Sequence, residues 1–155
     1  MEPETATLSG ADALHASPLV EDLGFLLARA SAVALARTNT ALAEHGLRAR
    51  SYSVLALAVA GGRPSQRDLA EFLRLDPSQV VALIDDLEQR GLARREPDPR
   101  NRRANVVVAT DEGRRLHAAA SESARAQHAR SGLGAADHAE LTRLLRTVAF
   151  PADDD

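Results

Sequence analysis

Residues 65–110 contain two helix starts, a glycine stop and a cationic turn in one order, and few folds accommodate that order. Ser65 with Asp68 three residues on is a capping-box-like start, each side chain reaching a backbone N–H of the other. Leu69, Ala70, Phe72 and Leu73 follow as an apolar stripe at helical spacing. Asp76-Pro77 restarts the pattern, because aspartate accepts from orphan N–H groups and proline has none to lose in the first turn. Val80, Leu83, Ile84 and Leu87 then repeat at i, i+3, i+4, i+7, and Gly91 ends the helix as a left-handed cap. Two short helices joined by a tight turn predict a helix-turn-helix. The second, over 77–90, is long enough at ~1.5 Å per residue to lie across a major groove.

The next residues make the pattern specific. Residues 92–96 predict one strand and 104–109 another, the latter carrying Val106-Val107-Val108. Between them, 97–103 reads as an irregular hairpin tip with proline, asparagine and three arginines. Helix, turn, helix, strand, cationic loop, strand is the order of a winged helix. The chain here resembles the MarR family of bacterial transcriptional regulators, through DPSQVVALIDDLEQRGLARRE and through DPRNRRA, which looks like that family's Asp-x-Arg-x-x-Arg wing. The resemblance spans roughly residues 19–149. It implies a mainly α fold with a small β-hairpin wing (α+β) and interdigitating terminal helices in a dimer. It also implies a double-stranded DNA partner, and aromatic or phenolic anions as effectors where the dimer helices meet the DNA lobe.

In chain order, residues 1–17 are acidic and small, and a disordered arm is expected there. A single domain is expected over 18–150, with a winged-helix lobe at 51–110 and a loose tail at 151–155. A long helix is predicted over 18–45, with Phe25, Leu26 and Leu27 making it apolar on more than one face. A second helix is predicted over 51–60, with Tyr52, Leu55, Ala56 and Val59 inward and Gly61-Gly62 as its stop. A long helix over 111–130 uses Leu116, Ala119 and Ala120, and a last one over 135–149 uses Leu141, Leu144, Leu145 and Val148. Residues 18–45 and 111–149 carry more apolar face than one small lobe can bury, so a homodimer through these helices is expected.

Composition enters as a test of the DNA reading. The net charge of −3 looks wrong for a DNA binder until it is mapped. Residues 1–28 hold five acids and no arginine, whereas 94–103 hold five arginines against Glu96 and Asp98. Local field outweighs the total for phosphate binding. All nineteen basic residues are arginine, and no cysteine is present, which excludes disulfides and thiolate metal sites. No apolar run approaches the ~18 residues of a membrane span, and MEPETATLSG has no basic region before an apolar stretch, so a cytoplasmic protein is expected. His15, His45, His117, His128 and His138 make no i, i+3 or i, i+4 pair, so no metal is expected. No nucleophile and base stand together and no loop cradles phosphate; neither enzyme activity nor a cofactor is expected.

The DNA-binding residues are assigned as follows. Arg100 enters a minor groove, where narrow A·T-rich sequence concentrates negative potential, and Arg102 and Arg103 touch phosphate. Strand alternation sends only one of Arg94 and Arg95 outward, and Arg95 is taken as a phosphate contact. Ser78 and Gln79 reach base edges or phosphates from a helix N-terminus, and Val81 and Ala82 rest on thymine methyls. Arg67 is a further phosphate contact. Asp98 would be repelled by DNA and is expected to support the wing by pairing with Arg100 or Arg102. Asp85 and Asp86 would repel phosphate unless paired with arginine. Many family members are more cationic or hydroxylated at Val81, Ala82 and Asp86, and this chain departs from them. Phe25, Arg29, His45 and Tyr52 mark a candidate site for a small aromatic or anionic effector, with core packing and a surface ion pair as the alternative for the same residues. The expected function is a homodimeric repressor of an inverted-repeat operator, released by such a ligand. The rivals are a winged helix used for protein contact and a ligand sensor acting away from DNA.

Overall fold

Several helix starts in this chain are made by the side chains that mark them. The computed structural model describes residues 9–151, with the side chains of Arg102, Arg103 and Ser131 outside the description. Two compact units result, Met1–Arg37 and Thr38–Asp155.

In the first unit, Ser9 caps α1 (Gly10–His15) by accepting from the Asp12 N–H at 3.3 Å. Of the arm expected over 1–17, residues 1–8 lie outside the described residues. Pro18–Glu21 is a single 3-10 turn. Asp22 is extended, and its carboxylate accepts the Phe25 N–H at 2.7 Å, which opens α2 (Leu23–Leu42). The helix expected over 18–45 is therefore three pieces, the last a 3-10 turn at Ala43–His45 ended by Gly46 at φ +63°. An aspartate that bonds local N–H groups restarts a helix instead of continuing it. On α2, Leu23, Leu26, Val33 and Leu35 are exposed.

The second unit continues with α3 (Ala49–Val59), which starts before residue 51 because Asn39 Oδ1 takes the Ala49 N–H at 2.8 Å. The capping box of α4 (Gln66–Leu73) has both its bonds: Ser65 Oγ accepts from Asp68 N at 3.1 Å, and Asp68 Oδ2 from Ser65 N at 2.8 Å. These bonds from Ser65 hold the Asp68 carboxyl below its usual range. Leu69 and Ala70 are buried, but Phe72 is 56% exposed. At 100° per residue it lies well off the centre of the Leu69–Leu73–Ala70 stripe. Its ring instead meets Phe150 at 5.5 Å. After the turn at Arg74 (φ +52°), Asp76 and Pro77 open α5 (Pro77–Gln89), and Gly91 closes it at φ +68°. Val80, Ile84 and Leu87 are fully buried against Leu42, Val54, Leu55 and Leu69.

The wing pairs β1 (Ala93–Asp98) antiparallel with β2 (Asn101–Ala109), in register from Ala93↔Ala109 to Pro97↔Asn105. The seven-residue tip expected at 97–103 narrows to Pro99-Arg100, because a bulge after Pro97 lets Asp98 pair with Asn101. A one-residue third strand covers the other edge: Pro64 O accepts from Val107 N at 2.8 Å, and Ser65 bridges Val106.

Thr110 caps α6 (Asp111–His128), whose buried face is Gly113, Ala120 and Ala124; Ala119, expected inward, is exposed. Gly113 passes so close to the residue before β1 that a Cβ there would lie 1.9 Å from Leu92 O. A 3-10 turn at Ala129–Ser131 leads to α7 (Ala135–Ala149), which buries no residue. Of the tail, only Pro151 is described.

Candidate nucleic-acid interface

α5 turns one face to the core and shows Ser78, Gln79, Val81, Ala82, Asp85 and Asp86 on the other. At its N-terminus Asp76 Oδ1 accepts both the Ser78 N–H at 2.8 Å and the Ser78 hydroxyl at 2.5 Å. Those bonds hold the Asp76 carboxyl below its usual range. The Ser78 proton is thus turned toward the cap, leaving the oxygen lone pairs outward. Gln79 and Ala82 are exposed, and Val81 is 37% exposed.

The two acids of this face are matched by arginines. Asp86 pairs with Arg90 at 3.3 Å, one turn on. Arg90 also donates to Gly46 O at 2.9 Å and His45 O at 3.3 Å, tying the end of α5 to the loop before α3. Asp85 pairs at 2.7 Å with Arg95. The phosphate contact expected of Arg95 would require these pairs to open. Its guanidinium turns inward, 21% exposed, onto Asp85, Glu88 and Gln66 Oε1, the last at 2.6 Å. The outward arginine of the pair is Arg94, which bonds Glu96 at 2.6 Å. Glu96 also takes Arg63 at 2.8 Å, and the two arginines lower its pKa.

At the wing tip Asp98 Oδ1 accepts the Arg100 N–H at 2.9 Å and meets Arg100 Nε at 3.4 Å. The backbone N–H is the first reason that its carboxyl stays below the usual range. Asp98 is 14% exposed and Arg100 is 81% exposed, so the acid closes the turn while the cation projects. Arg102 and Arg103 lie on β2, their side chains outside the description. Arg67 is 85% exposed and pairs with Glu71 at 2.7 Å along α4.

The effector candidates divide between the units. Phe25 is half-buried and Arg29 exposed in the first. In the second, Tyr52 stacks on His117 at 5.3 Å with 16° between the planes. His45 Nε2 lies 2.9 Å from Ser123 Oγ, which donates to Glu44 at 2.9 Å. His117 and Ser123 thus stand beside two of the candidates without any motif in the sequence that links them. The spacing of Gly113, His117, Ala120 and Ala124 at i, i+4, i+7, i+11 would have placed His117 on the buried face of α6. Burial pushes the His117 pKa down. Among the described residues no group of three or more His, Cys, Asp or Glu could hold a metal ion. No described helix is long and apolar enough to cross a membrane.

A sequence model of the MarR family matches residues 45–104. Among solved structures, a MarR-family transcriptional regulator from Rhodococcus sp. RHA1 is 42% identical, covers 88% of this chain and 98% of its own, and superposes with a TM-score of 0.81. CouR from Rhodococcus jostii RHA1, solved with p-coumaroyl-CoA, is 41% identical over 90% of this chain and 99% of its own, with a TM-score of 0.80. The transcriptional repressor CouR on a 23-mer DNA duplex is 31% identical over 84% of this chain and 94% of its own, with a TM-score of 0.77. No curated protein gives a significant match.

Proposed function

Because this chain belongs to the MarR family of transcriptional regulators, as 42% identity over 88% of its length establishes, we propose that it is a homodimeric repressor of an inverted-repeat operator. One observation carries the reading: the exposed face of α5 has its two acids paired with arginines, beside a wing whose tip projects Arg100. α5 lies in a major groove, with Ser78, Gln79, Val81 and Ala82 toward base edges. Arg100 enters the adjoining minor groove, flanked by Arg102 and Arg103, and Arg67 meets phosphate. Asp98 supports the wing by closing its turn. That the CouR repressor, 31% identical, binds a DNA duplex supports DNA as the partner.

The second subunit covers the terminal helices. Leu141, Leu144, Leu145 and Val148 of α7 are 40–58% exposed, an apolar row that water does not favour. A small aromatic or anionic effector is the natural release signal, as the p-coumaroyl-CoA complex of CouR suggests. The Tyr52–His117 stack and His45 are the groups in the second unit suited to receive its ring and its charge. Such a ligand lowers DNA affinity by favouring one spacing of the two recognition helices, a population shift. The rival in which Asp85 and Asp86 dock a basic protein loses its main support, since both acids already have partners.

Fluorescence anisotropy on duplexes tiling the promoter region beside its own gene tests the reading. Affinity should fall steeply with salt, and Arg100→Ala should reduce it by on the order of tenfold or more while lowering the salt slope by about one. Binding that ignores salt, or that Arg100→Ala leaves unchanged, removes the wing from the interface.

A further inference from the structure

β1 alternates, so Arg95 turns to α4 and α5 while Arg94 and Glu96 turn to the opposite face. On the inner face the Arg95 guanidinium meets Asp85 at 2.7 Å, Gln66 Oε1 at 2.6 Å and the carboxylate of Glu88. The other Glu88 oxygen accepts the Arg95 backbone N–H at 2.6 Å. On the outer face Glu96 holds Arg63 at 2.8 Å. Two successive residues of the strand are therefore gripped from three segments: the loop before α4, the start of α4, and α5.

We infer that Arg95 is a positioning residue, which sets the angle between the wing and α5 so that Arg100 and the exposed face of α5 engage one duplex together. The inference rests on the DNA-binding reading above. The strand ends at Asp98, three residues and ~10 Å beyond Arg95 at ~3.3 Å per residue, and the turn bearing Arg100 follows it. A swing of ~10° at Arg95 displaces the strand end by ~2 Å, more than the tolerance of a hydrogen bond. The planar guanidinium suits the task because it offers N–H groups to Asp85, Glu88 and Gln66 in a fixed fork; a lysine ammonium carries the same charge without that geometry. Turning Arg95 out to a phosphate would leave Asp85 and Glu88 unpaired beside the DNA backbone, where like charges repel. The grip also makes wing and recognition helix one rigid body, so an effector acts by moving the whole lobe rather than by bending the wing.

The test uses the full chain, a duplex selected from random-sequence DNA by the wild-type protein, and the variants Arg95→Lys, Arg95→Gln and Gln66→Ala. Arg95→Lys should lose about tenfold in affinity, since charge without the fork fails to hold the angle. Arg95→Gln should lose at least as much, because it also leaves Asp85 and Glu88 without their cation. Gln66→Ala, which removes one acceptor and exposes no new charge, should lose about threefold. Cooperative thermal melts identify the folded variants. In the free protein, amide exchange over residues 93–101 should quicken in Arg95→Lys and Gln66→Ala, a readout that needs no DNA. Wild-type affinity in Arg95→Lys would show that charge without the fork suffices, as for an ordinary phosphate contact, and would overturn the inference. Unchanged exchange overturns it as well, whereas a wild-type protein that selects no duplex overturns the DNA reading and leaves the grip to be judged by exchange alone.

Discussion

Val80, Leu83, Ile84 and Leu87 on α5 repeat at i, i+3, i+4, i+7, and so do Leu141, Leu144, Leu145 and Val148 on α7. Their surroundings are opposite. Val80, Ile84 and Leu87 are fully buried and Leu83 packs against the same core, whereas the four on α7 are 40–58% exposed. Periodicity specifies that a helix has an apolar face; it does not specify what covers that face. For α5 the cover is supplied within the chain by α3, α4 and the wing. For α7 the described residues supply little more than the Phe150 contact with Phe72. The difference separates a helix whose apolar face is covered within the chain from one whose face the described residues leave open, the face that the proposed homodimer would cover.

The largest expected effect sharpens the first half of that contrast. Ile84→Ala should destabilise the protein by roughly 2–5 kcal/mol, read from the urea midpoint, because it opens a cavity among fully buried neighbours. Gly113→Ala comes next, at about 1–3 kcal/mol: the new methyl group meets Leu92 O and the wing base must move to admit it. Wild-type stability in that variant would mean that α6 stands off β1 in solution.

Leu144→Glu combined with Leu145→Glu addresses the other half. Sedimentation should shift from dimer to monomer, and the melting midpoint should lose its dependence on protein concentration. Intrinsic stability of the lobe should change by no more than about 0.5 kcal/mol, as for surface sites. A loss as large as that of Ile84→Ala would break the comparison, since α7 would then belong to the lobe's own core.

The smallest effect is a pH dependence at the edge of the core. Burial holds the His117 pKa below its ordinary value, so between the folded value and about 6.5 the unfolded chain binds more protons than the folded one. Stability contributed there is complete above that range and falls as pH drops through it. Acidification from about pH 7.5 should lower the melting midpoint, and His117→Phe, which keeps a ring on Tyr52, should flatten the decline. The same slope in the variant would trace the effect to another group.

Much of the fold is legible because its signals are local. Ser65 with Asp68, Asp76 with Ser78, and Gly91 act within four residues of themselves, so the chain states where α4 and α5 begin and where α5 ends. The wing is legible for the same reason, as a β-branched run beside a proline-bearing cationic turn. What three dimensions decided is where distant groups meet. Arg95 and Gln66 are 29 residues apart and Tyr52 and His117 are 65 apart, and no spacing rule links either pair. Hence Arg95, which strand alternation alone left free to point either way, turns inward, and Asp85, expected to repel phosphate unless paired with arginine, is its partner. A side chain's chemistry belongs to its residue type, but whether that chemistry is exposed or already satisfied depends on which elements the fold packs within a few ångströms of it.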